Sequence, residues 1–161
     1  MGLKRKMMEK MMPNEFGAIS GLFHAGVFGL QANITDLVGD SGFKDYIFPP
    51  IKEAISNLEN IGIEKVEGET LDEFGERFIS VLKKSMLITN AEFKKKSDTE
   101  YFFSLENCFM ARAAHQIAGK KGICPMAMVV TAMIEKYTGK TVNIGNSMLS
   151  STGSETKITV Y

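Results

Sequence analysis

At residue 87 the hydrophobic pattern of this chain changes period. Upstream, apolar residues recur every three or four positions: Leu71, Phe74, Phe78, Leu82 and Met86 make one stripe, and Ile51, Ala54, Ile55, Leu58 and Ile61 another. That is the spacing of helices with one buried face. From 87 to 105 the repeat is two. Tyr101, Phe103 and Leu105 alternate with Glu100, Phe102 and Ser104, so residues 87–94 and 99–105 read as strands joined at Lys95-Lys96-Ser97-Asp98. Helical period returns at about 108–118 and 125–138. Two short strands, 141–144 and 156–160, close the chain, with Val142 and Ile144 on one face and Ile158 and Val160 on one face. Helices, hairpin, two helices, hairpin is the order of an α+β fold: an antiparallel sheet packed with helices, with an N-terminal helical segment.

Local signals refine this plan. Residues 14–38 read as a helix carrying Gly17, Ala18, Gly21, Ala25, Gly26 and Gly29. Each glycine costs a helix about 1 kcal/mol relative to alanine, so something must approach this backbone closely: another helix, a dimer mate or a ligand. Phe48-Pro49-Pro50 is expected to separate that helix from the next, at 51–61, because proline disfavours helix in the residue before it. Asn60-Ile61-Gly62 supplies the stop. Thr70-Leu71-Asp72-Glu73 is a capping box opening the helix to about Met86. Gly145 and the Ser/Thr/Gly run at 150–154 mark a loop. Residues 1–12, with Lys4, Arg5, Lys6 and four methionines, read as a short helix, a frayed arm or a Met-rich partner surface.

The totals set bounds. The 161 residues suit a single domain, 1–86 mainly helical and 87–161 holding the hairpin, two helices and closing strands. Nineteen basic and nineteen acidic residues cancel, which argues against a nucleic-acid partner. The apolar stretch FGAISGLFHAGVFGL is too short for a membrane span, and the start of the chain lacks the apolar run of a leader. A cytoplasmic protein is expected. Two cysteines make no disulfide framework. In a reducing compartment free thiols or metal ligands are favoured over a bridge, although a Cys108–Cys124 disulfide stays open for a hyperthermophile.

Both cysteines and one of the two histidines fall within 104–126, SLENCFMARAAHQIAGKKGICPM. Cys108 is expected to open the helix 108–118. Cys124 precedes Pro125, and proline suits the first helical position, so Cys124 reads as an N-cap. The helix dipole should help both thiols ionise, and thiolates suit zinc. His115 lies seven residues beyond Cys108, a helical rise of about 10.5 Å, which strains a joint chelate unless Cys108 precedes the regular helix. His115 and Cys124 are easier to join, because residues 118–123 can fold one helix back beside the other. Glu106, His24 or a partner subunit would complete the set. The alternative is structural: cysteine as a small buried hydrophobe and histidine as a core residue.

Residues 105–160 resemble the 4-vinyl reductase domain family. The matching pieces are Asn107-Cys108 with Arg112, Cys124 opening a helix, Tyr137-Thr138-Gly139-Lys140 with Val142, Gly153 and a closing strand. The resemblance implies a small-molecule-binding module for hydrocarbon-like ligands. It also implies an α+β fold similar to haem-based nitric-oxide sensors and to palmitate-binding subunits of vesicle-tethering complexes, and a cysteine-based metal site. Two cysteines of that family's pattern are absent here; Leu149 and Lys157 stand near their places. A four-thiolate site within one chain is therefore excluded. Cys108 and Cys124 carry over by position, whereas His115 is added on chemistry alone.

Three functions follow as expectations. In the first, helices 14–38 and 125–138 flank a cavity lined by Phe23, Val27, Met126, Val129, Val130 and Met133, pliable walls for an apolar small molecule. The chain would act as a homodimer, with zinc at Cys108, His115 and Cys124. The same six residues could equally fill the core. In the second, the chain is a structural dimeric scaffold subunit joined through helix 14–38. In the third it is a metal- or thiol-dependent enzyme. That reading has least support, because no G-x-G-x-x-G follows a strand, no Ser–His–Asp set is assignable and two histidines leave little acid–base capacity.

Overall fold

The structure, a computed structural model, describes residues 14–62, 65–84, 88–108, 111 and 122–161. Its elements are α1 (Asn14–Asn60), α2 (Leu71–Lys84), β1 (Ile88–Lys95), β2 (Glu100–Cys108), α3 (Pro125–Thr138), β3 (Val142–Ile144), β4 (Met148–Leu149) and β5 (Ser154–Val160). The expected α+β fold is present. The sheet runs β1-β2-β5-β3 with β4 on β5, every pairing antiparallel.

The period-two pattern sends Tyr101, Phe103 and Leu105 of β2 and Ser154, Thr156, Ile158 and Val160 of β5 to one face, all buried. The other face carries exposed Glu92, Lys94, Glu106 and Lys157 and is open to water. α2 lies on β1 and β2 through aromatic rings: Phe74 meets Phe93 edge-on at 6.5 Å, and Phe78 meets Phe103 at 5.9 Å. Its capping box forms with a shift of one residue. Thr70 Oγ1 accepts from Glu73 N–H (3.2 Å), while Glu73 reaches back to the N–H of Glu69 rather than Thr70 (3.0 Å). α3 is buried nearly all round, from Ala127 to Ile134, between the sheet and α1. Its core threonine, Thr131, donates to Ala127 O (2.6 Å), which removes the cost of an unpaired buried hydroxyl.

Two expectations about α1 are corrected. Phe48-Pro49-Pro50 does not end a helix; the break lies at Gly39 (φ 72°, ψ 171°). Phe48 is sealed in the core, and the two prolines are exposed. The carbonyls they deprive of partners belong to Asp45 and Tyr46, both at the surface, where water replaces the lost helical bonds. In the stripe 51–61, only Ile51 and Ile55 pack on the core; Leu58 and Ile61 are exposed. Ion pairs hold this half of α1 to the end of α3: Lys52 to Glu135 (2.5 Å) and Glu59 to Lys136 (2.7 Å).

β2 extends to Cys108, so this cysteine ends a strand rather than opening a helix. The cause is local. Asn107 has φ 52°, a left-handed conformation that asparagine tolerates better than most residues. It advances the side-chain alternation by one position, leaving Glu106 and Asn107 outside and turning Cys108 into the core opposite Ile88. Cys108 N–H donates to Thr152 O (2.8 Å). The loop closes so tightly here that a Cβ on Gly153 would lie 1.8 Å from Leu105 O. Asn107, Cys108 and Gly153 thus form one backbone junction between β2 and β5. Gly153→Ala is expected to force these strands apart and to lower stability by roughly 3 kcal/mol or more, read from urea unfolding.

Candidate functional site

The two cysteines belong to one buried apolar cluster, and neither is in a disulfide. Both are tethered to the segment around β4. Cys108 donates to Thr152 O, and Cys124 N–H donates to Ser147 Oγ (2.7 Å), which in turn shares a hydrogen bond with Thr156 Oγ1 (2.6 Å). Cys124 is the N-cap of α3 with Pro125 at the first turn, as its position implied. Its expected activation is corrected. Burial pushes the Cys124 thiol up, and this outweighs the Ser154 hydroxyl and the N–H groups of Ala127 and Met126, which favour the thiolate. His115, the third proposed metal ligand, lies outside the described residues, as does Arg112. Among the described residues no group of three or more His, Cys, Asp or Glu side chains is placed to hold a metal ion.

The six proposed ligand-wall residues do not share one environment. Val130 and Met133 are buried core, and Val27, Met126 and Val129 are half-buried against it. Phe23 points out to solvent. It belongs to a stripe that the sequence pattern did not separate from the core: Ile19, Leu22, Phe23, Leu30 and Leu37, each between 54% and 83% exposed. At 100° per residue these five fall within an arc of roughly 100°. Gly26 lies in the same arc, with nothing near its Cα to block a close approach. The opposite arc holds His24, Phe28 and Gln31, all buried, with Val27 and Ile34 packed on the core. From residue 16 to residue 35 there is no charged side chain. This half of α1 is therefore uncharged all round, with one arc covered and an apolar stripe left bare on the other.

Its covered side is fastened by Gln31. The amide donates to Ile123 O (2.7 Å) and accepts from Ile123 N–H (2.8 Å), both buried, like one rung of a sheet. The preceding Gly122 (φ 132°) presses against the Phe28 ring, where a Cβ would lie 2.6 Å from a ring carbon. Beside this clamp opens a cleft of about 750 Å³, bounded by residues 28–44 of α1, by 122–123 and by 143–146 at the end of β3. Its floor is Phe28, Phe43 and Ile123, all buried, and its rim carries exposed Asp36, Asn143 and Asn146. Lys44 is half-buried on its wall and donates to Val142 O (3.3 Å).

No family model matches the chain, and no curated protein matches it. Among solved structures it is similar to a trafficking protein particle complex subunit 3 from Naegleria fowleri, covalently bound to palmitic acid. The likeness has a TM-score of 0.50 at 14% identity and covers 89% of this chain and 96% of that one. At this identity the likeness establishes the fold. No described helix is long and apolar enough to cross a membrane.

Two outcomes are expected. Gln31→Leu leaves both backbone groups of Ile123 buried and unpaired, which should cost about 2–4 kcal/mol in urea unfolding. The raised Cys124 thiol makes the folded state hold its proton longer than the unfolded chain does. Stability is therefore intact below an unfolded thiol pKa of about 8.5 and falls as pH rises above it, by up to about 1.4 kcal/mol per pH unit. Unfolding curves at pH 7 and pH 10 should show a shallower alkaline loss for Cys124→Ala than for the wild type.

Proposed function

We propose that this chain is an assembly subunit that pairs with a second copy through the outer face of α1. The observation that carries the reading is the uncovered apolar stripe from Ile19 to Leu37. A helix face with so many exposed large apolar side chains belongs against something. Taking roughly 200 Å² for a fully open large apolar residue, the five side chains expose on the order of 700 Å². That exceeds the largest patch on most monomers and approaches the ~800 Å² per partner of a standard interface. The stripe has no charge to repel its own copy across a two-fold axis, and Gly26 lets two such helices come close. The similar fold from Naegleria fowleri belongs to a complex subunit, which supports the same direction.

A second reading is favoured by the cleft: a small-molecule binder of the 4-vinyl reductase type, with a hydrocarbon-like ligand. The neighbour's palmitic acid is compatible with such a role for the fold. In its zinc-bearing version Cys108, His115 and Cys124 would be the ligands. In that version metal binding would displace the proton that burial holds on Cys124.

Sedimentation at micromolar concentration tests the first reading. The wild type is expected to be a dimer. Phe23→Glu with Leu30→Glu should weaken association by at least roughly a hundredfold and leave a folded monomer with unchanged circular dichroism. A wild type that sediments as a monomer overturns the reading.

A further inference from the structure

The cleft beside Gln31 carries a more specific assignment, which rests on the ligand-binding reading. Its floor is apolar and its rim is polar, so an occupant needs an apolar body and one polar end. Lys44 decides which end. Its ammonium has three donors, of which one goes to Val142 O at the long distance of 3.3 Å. It makes no ion pair with any described carboxylate, whereas Lys52 and Lys136 on neighbouring surfaces each have one. A half-buried ammonium that no described carboxylate pairs with, on the wall of a cleft of about 750 Å³, is a site for an anionic oxygen. We propose that the cleft binds an aliphatic monocarboxylate non-covalently, its tail over Phe28, Phe43 and Ile123 and its carboxylate on Lys44. Asp36 limits the affinity. It stands at the rim on the far side of the Gly39 break and repels the same head group.

Calorimetric titration with octanoate, 1-octanol and octylammonium, all with one tail, tests this. Octanoate should bind one to one and octylammonium at least tenfold more weakly. Lys44→Gln should weaken octanoate about tenfold, the loss of one charge-assisted hydrogen bond, and leave octanol within about twofold. Lys44→Arg should restore octanoate. Asp36→Asn should tighten it roughly two- to threefold by removing a surface repulsion. Ala32→Phe, which places a ring in the cleft, should abolish binding of both octanoate and octanol while thermal melting confirms the fold. Equal affinity for octanoate and octanol, or no loss in Lys44→Gln, overturns the head-group assignment and leaves the ligand-binding reading standing. Undiminished binding in Ala32→Phe overturns the location. No binding of any probe overturns both the assignment and the ligand-binding reading.

Discussion

One side chain determines which way the N-terminal half of α1 faces. Gln31 closes both of its amide groups on the backbone of Ile123, across 92 positions of sequence, in a buried setting. An amide in that setting is held by what it would lose: rotating it away would strand one donor and one acceptor of Ile123 as well as its own pair. The apolar side chains on α1 cannot supply this orientation, since both arcs carry them. The ion pairs further along, Lys52–Glu135 and Glu59–Lys136, tie down the half beyond Gly39 and are partly solvated. With Gln31 seated, Phe28 comes to rest on Gly122, the cleft opens between α1 and residues 143–146, and Ile19 to Leu37 are left outside. The candidate surface and the candidate cleft are two consequences of one hydrogen-bonded pair.

The two cysteines fit the structural alternative that the sequence left open. Asn107 takes the left-handed turn, Cys108 follows it into the core, Gly153 admits the backbone of Leu105, and Cys124 caps α3 from within the same cluster. Asn107, Cys108 and Gly153, three of the residues that carry the resemblance to the 4-vinyl reductase family, are thus residues on which this junction turns. No side chain fits at Gly153, because the backbone of Leu105 approaches there. Their order along the chain follows from the path β2, α3, β5. A pattern that packing alone demands says little about chemistry, so the thiols' environment weighs more than their presence. For Cys124 that environment is dry and favours the neutral form.

Much of the architecture was legible because its periods are unambiguous. The hairpin, α2 with its capping box and the closing strands each bury one kind of position and expose the other. The pattern failed where two signals competed. At Pro49-Pro50 the burial of Phe48 overrode the local penalty of proline, and the true break passed to Gly39. At Cys108 a single left-handed residue reset the alternation, which no period-two count anticipates. Along α1, periodicity could not say which apolar face turns inward, because the deciding residue is a glutamine whose partner is a distant backbone. β4 is only two residues long and has no period to read.

The buried polar groups narrow the places where function can reside. Thr131 is engaged on Ala127, Ser147 bridges Cys124 and Thr156, and Gln31 is closed on Ile123. Each of these groups completes a backbone or side-chain bond inside the fold, and none pairs a nucleophile with a base along the lines catalysis requires. Among the described residues, the ammonium of Lys44 at the cleft and the apolar stripe on α1 are open to a visitor. The described part of this chain offers two candidate binding surfaces. Both lie on a single helix whose two apolar arcs, one covered and one bare, require different neighbours.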